Sequence, residues 1–147
     1  MVLRSLVATL GLLLMGLAAE TGVAAEVRQG GFVATEVWAR STPERARTGA
    51  VYLTLKNESA ADTAIVGADT PRAQRTELHS TRTSNDVARM ERQSGIAAAR
   101  GRSVELKPGG AHIRLMGLSG PLRAGETFPL TLKLSTGESL ILEVSVR

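Results

Sequence analysis

Residues 128–146 read FPLTLKLSTGESLILEVSV. Leu130, Leu132 and Leu134 alternate with polar or non-packing neighbours, and after Ser135, Thr136 and Gly137 the alternation resumes with Leu140, Leu142, Val144 and Val146. Successive side chains of an extended strand point to opposite faces, so each run is a half-buried strand and the polar turn between them closes a hairpin. A lone hairpin cannot bury such a face, and further strands must cover it.

The rest of the chain supplies them. Phe32 to Arg40 (FVATEVWAR) reads as a strand ended by Ser41, Thr42 and Pro43, with Trp38 assigned to core packing. Gly49 to Lys56 (GAVYLTLK) sets Val51, Leu53 and Leu55 against Tyr52, Thr54 and Lys56, and Asn57, Glu58 and Ser59 turn the chain. Ile65 and Val66 mark a short strand and Arg75 to Ser80 another, with Leu78 facing the core. Ser84, Asn85 and Asp86 make a turn before Val87 to Arg92 extends, whereas Ile96 to Arg102 fits either a loop or one helical turn. Val104 and Leu106 precede the Pro108, Gly109, Gly110 turn, and Ala111 to Met116 forms a strand with Ile113 and Leu115 inward. Outside the N-terminus no sustained helical period occurs. Short strands at regular spacing predict an all-β Greek-key sandwich or barrel.

A length of 147 residues fits one domain with an ordinary core. Residues 1–25 combine a basic Arg4, an apolar run from Leu6 to Ala19 and small residues at Val23, Ala24 and Ala25, the pattern of a secretory signal peptide cleaved after Ala25 or after Ala19. A transmembrane anchor is the alternative, although the run is shorter than the roughly 20 apolar residues a span needs. Residues 26–147 then form the mature domain, without a span and, given charges and Pro at its edges, as a monomer. With no Cys, neither disulfides nor thiolate chemistry is available to it. The formal charge of +4 comes from scattered Arg with few aromatic residues, which is not the interleaved platform of a nucleic-acid binder. No GxSxG, Cys nucleophile or paired-carboxylate stretch marks an enzyme.

Chemistry is concentrated between His79 and Met116, which hold both His of the chain and both Met beyond the N-terminus. If Leu78, Ile113 and Leu115 point inward, then His79, His112, Arg114 and Met116 point outward. Met90, between Arg89 and Glu91, lies in a segment too polar for central core. His79, Met90 and His112 are therefore expected near the surface on neighbouring strands. Imidazole and thioether together suit copper, above all Cu(I), because a thioether binds a soft ion without a thiolate that an oxidising compartment would consume. Zinc fits less well, since two His come without an acidic partner set. The same residues also read as a hydrogen-bonded surface His pair and a gap-filling Met.

His79 is followed after ten residues by Met90, and Met90 after twenty-one by His112. This spacing resembles that of the periplasmic copper chaperones of the PCu(A)C type, as do VWARSTPERARTGAVYLTLKNES, DTPRAQRTELHS and VELKPGGAHIRLMGLSGPLRAGETFPLTLKL. The resemblance covers nearly all of the mature chain. It implies a cupredoxin-like β-sandwich in the periplasm that carries copper, as Cu(I) or alternatively Cu(II), to an accepting protein such as an oxidase subunit or its assembly factor. The ligands it carries over are His79, Met90 and His112.

Two residues after the second His that family has a Met, and this chain has Arg114. A guanidinium cannot ligate, and two unit charges ~4 Å apart at an effective dielectric of about 20 repel by about 4 kcal/mol. Met116 has the right parity but stands about 13 Å along the strand from His112. The resemblance thus implies a three-ligand site with one open position. The alternative is a copper-free β-sandwich that keeps the fold as a protein-interaction module.

Overall fold

The computed structural model describes residues 26–147, so the leader assigned to residues 1–25 lies outside the described residues. Eleven strands follow in order: β1 (Val27–Gln29), β2 (Phe32–Ala39), β3 (Thr48–Asn57), β4 (Thr63–Asp69), β5 (Ala73–Ser84), β6 (Val87–Gln93), β7 (Ile96–Ala98), β8 (Ser103–Leu106), β9 (Ala111–Leu118), β10 (Thr127–Leu134) and β11 (Ser139–Val146). They hydrogen-bond in the order β6-β5-β9-β3-β2-β11-β10-β4-β7, with β1 added to β2 and β8 to β3. Neighbours that are not consecutive in sequence make this a crossed, Greek-key type of arrangement, and the fold is all-β as its alternation predicts. β11 runs parallel to β2, and the other pairs described are antiparallel.

The hairpin of β10 and β11 pairs Leu130 with Leu142 and Leu132 with Leu140. All four are buried, together with Leu134, Val144 and Val146. Inward residues of β2, β3, β5 and β9 join the same cluster, so the sheet folds over and its two halves pack face to face. A hydroxyl tie from Thr76 on β5 to the Ala68 carbonyl on β4 links the halves.

Several local expectations change. Ile96 to Ala98 is a strand, β7, and only the residues after it form a turn. What draws this Ala-rich piece into the sheet is pairing with β4 and a side-chain clamp from Asn57. Read from sequence as a turn residue, Asn57 is in fact fully buried, donating to the carbonyls of Ala61 at 2.9 Å and Ala98 at 2.8 Å while its Oδ1 accepts from the Ser59 amide. Buried amides persist only when their bonds are made, which is how a polar residue comes to hold a strand end.

Trp38 is not core. β2 carries a bulge between Thr35 and Trp38, with Glu36 at φ 50°, and Trp38 lies half-buried on the outer face against Tyr52. The Arg147 guanidinium sits over its ring at 5.3 Å. The β5–β6 hairpin closes through Asn85 and Asp86, both at positive φ, as a tight two-residue turn between twisted strands requires.

Leu132→Ala is expected to destabilise the fold by about 2–5 kcal/mol through a cavity that its neighbours cannot fill. Ile141→Ala, on the exposed face of the adjoining strand, should stay within about 0.5 kcal/mol. Urea unfolding of both variants checks this, and equal losses would contradict the assigned faces.

Candidate metal centre

Antiparallel pairing of β5 with β9 puts His79 directly opposite His112. In the same register Glu77 faces Arg114 and Arg75 faces Met116. On the other side of β5, Arg92 of β6 stands opposite His79 and Met90 opposite Thr81. Met90 is thus a diagonal cross-strand neighbour of His79, within reach of a long side chain. The three residues singled out by the sequence do share one face.

The face is not open as expected. Met90 is 61% exposed, but His79 and His112 are only 8% and 5% exposed. Strand parity gave their direction correctly; what it could not show is the cover. Tyr52 of β3 lies next in the row, its ring centroid 6.3 Å from that of His112, and Trp38 of β2 stacks on Tyr52 at 4.7 Å. Trp38, Tyr52, His112 and His79 form one cross-strand line, with imidazole centroids 5.9 Å apart. A cavity of about 400 Å³ opens beside it, lined by His112, Met90, Arg114 and Tyr52 and walled by residues 40–43.

Each imidazole is tied by one ring nitrogen. His79 Nε2 lies 2.9 Å from Glu77 Oε2, and since an ionised carboxylate only accepts, Nε2 carries the proton and donates. His112 Nδ1 lies 3.2 Å from the Gly110 carbonyl and donates to it. In the neutral imidazoles the lone pairs therefore sit on Nδ1 of His79 and Nε2 of His112. His79 Nδ1 is buried and has no hydrogen-bond partner, a costly arrangement unless another group uses that lone pair. Donation of the second ring N–H to a carboxylate or carbonyl is how metal-binding imidazoles are oriented.

Glu77 escaped sequence reading, although its place two residues before His79 puts it on the same face. The hydrogen bond from His79 holds its carboxyl below the usual carboxylate range; burial opposes this, and Arg92 and Arg75 reinforce it. Glu77 thus adds stability that is complete above the ordinary carboxylate pKa and is lost as pH falls through the lower, folded value. Arg75 also reaches Glu77 at 3.4 Å. Met116 is not at the centre: its sulfur accepts from Arg75 Nη2 at 3.6 Å, and it does not line the cavity. No cluster of three or more His, Cys, Asp or Glu with metal-binding geometry occurs among the described residues, so the imidazole pair is completed by neither a thiolate nor a carboxylate, and Met90 is the soft side chain on its face.

Comparison with known proteins places the chain by family and fold. The family described as "lipoprotein LpqE-like" matches residues 33–146. A protein of Leifsonia xyli subsp. xyli named as a lipoprotein, Lxx21020, is 37% identical over 99 residues, 67% of this chain; the chain spans 60% of that protein's length. Among solved structures, Cu(I)-bound DR1885 of Deinococcus radiodurans is 36% identical, with 76% of this chain and 74% of that one covered and a TM-score of 0.61. The copper-bound PCuAC domain of PmoF2 superposes with a TM-score of 0.72 over 84% of this chain and 97% of that domain at 18% identity, a likeness of fold alone. The chain belongs to the LpqE-like family and has the fold of PCuAC-type copper-chaperone domains.

Proposed function

We propose that this chain is an exported copper chaperone that holds Cu(I) through His79 Nδ1, His112 Nε2 and the Met90 thioether. The observation that carries the reading is the pair of half-committed imidazoles, each tied at one nitrogen and one of them buried with its other nitrogen unpartnered. A soft monovalent ion meets the needs of that pair and an adjacent thioether without requiring a thiolate. Copper is cargo here: three neutral donors, one of them exposed, suit binding and release better than turnover of a substrate. Copper in DR1885 and in the PmoF2 domain supports the choice of metal. The lipoprotein names of the family and of its Leifsonia relative support export; the periplasm as compartment and an oxidase subunit or its assembly factor as the receiving partner belong to the same proposal.

Arg114 favours a second reading, a copper-free interaction module, because it brings a positive charge to the cavity that His112 and Met90 line. Competition for Cu(I) against a bidentate chelator separates the two. The chaperone reading expects binding that His79→Ala/His112→Ala abolishes and Met90→Leu weakens. Wild-type protein that competes no better than the double variant, while Arg114→Met competes well, establishes the second reading instead.

Glu77→Gln tests how the imidazole is held. Loss of an ionised acceptor for the His79 ring should weaken copper binding by about tenfold to a hundredfold. Nitrogen NMR of the metal-free protein should show His79 losing its Nε2–H preference while His112 keeps its Nδ1–H form. Unchanged affinity together with an unchanged His79 tautomer would remove Glu77 from the site.

A further inference from the structure

The cavity beside the imidazole pair contains an unbalanced charge. Arg40 and Arg114 both line it, and no Asp or Glu does. The carboxylate that faces Arg114 across the strands, Glu77, is engaged by His79 and Arg75. Among the described residues neither Arg40 nor Arg114 has an ion-pair partner within 4.0 Å, a condition shared with Arg45, Arg47, Arg89, Arg92, Arg100 and Arg102; what sets these two apart is that both line one cavity that holds no carboxylate. Each guanidinium presents five N–H donors and accepts nothing. The walls otherwise include Pro43, Ala46, Ala50 and Tyr52, so the space is concave, partly apolar and of small-ligand size.

Copper held by His79, Met90 and His112 would add a further positive charge and receive only neutral donors. Two residues along a strand separate Arg114 from His112, a rise of about 6.6 Å, so the guanidinium and a metal at the imidazole can share one small ligand between them. We infer that the site takes copper together with a small soft anion, a halide, which Arg114 holds in the cavity and which supplies the donor that a thioether would otherwise give. The inference rests on the copper reading above. Among small anions a halide suits Cu(I) better than a hard carboxylate, and a thiolate is excluded by an oxidising compartment. Arg114 is then a residue that determines the ligand set, and the missing thioether is replaced by a ligand drawn from solution.

Cu(I) competition titrations at constant ionic strength test this, with nitrate replaced in turn by acetate, chloride and bromide. Wild-type protein should gain affinity relative to Arg114→Gln by about tenfold in bromide, less in chloride and little in acetate, since coupling between two ligands is commonly of that size. Halide complexation of copper in solution affects every variant equally and cancels in the comparison. Arg114→Met should bind well in every salt and show no halide dependence. X-ray absorption at the copper edge should find a bromine neighbour in the wild type and none in Arg114→Met. Equal salt responses in the three proteins, or no bromine beside copper in the wild type, overturn the inference while leaving the chaperone reading intact. Wild-type affinity no better than that of His79→Ala/His112→Ala in every salt overturns both.

Discussion

Pairing of β5 with β9 is the constraint on which the rest depends. It sets His79 opposite His112, Glu77 opposite Arg114 and Leu78 opposite Ile113. A slip of one residue in either strand would turn that strand's imidazole into the apolar cluster and bring its Leu78 or Ile113 to the polar face, a change too costly for a strand with one buried side. The same leucines and isoleucine that close the core therefore also fix the positions of the two imidazoles. Stability and site geometry are two results of one register, and core residues behind the imidazoles act on the site without touching it.

Around that pair the polar groups divide into those already engaged and those still available. Glu77 is taken up by His79 and Arg75, and the Gly110 carbonyl by His112. Left over are a buried imidazole nitrogen, an exposed thioether and the guanidiniums of Arg40 and Arg114. Opposite requirements meet around one cavity, where the lone pairs of His112 and Met90 call for a cation and the guanidiniums for an anion, with the His79 nitrogen buried outside its lining. Such an arrangement is satisfied by a neutral pair of ligands more completely than by either ion alone.

Much of this was legible in the chain because β-structure writes its faces into alternation. The β10–β11 hairpin, the inward Leu78, Ile113 and Leu115, the turn at Asn85 and Asp86, and the exposure of Met90 all follow from period and local turn chemistry. What escaped depends on partners distant in sequence. His112 is flanked by Tyr52 and His79 by His112, Glu77 and β6, neighbours that parity within one strand cannot see. Trp38 lies on the outer face because a bulge at Glu36 shifts β2, and no pattern in FVATEVWAR announces that shift. Asn57 looked like turn chemistry until Ala98, forty-one residues on, appeared as its partner. Glu77 could have been found, for a carboxylate two residues from a strand His shares its face.

The three candidate ligands stand on strands with unequal support from their neighbours. His79 and His112 come from β5 and β9, which have neighbours on both sides, whereas Met90 comes from β6 at the end of the sheet, held on one side only. An edge strand opens at lower free energy than an interior one, because fewer hydrogen bonds and apolar contacts must be given up. On the proposed ligand set, departure would have an order: the thioether would leave with fraying of the edge, and the imidazoles would remain until the register itself is disturbed. In the proposed carrier this would amount to a ratchet at the level of rates, in which an incoming donor would displace sulfur first and meet copper still anchored by nitrogen.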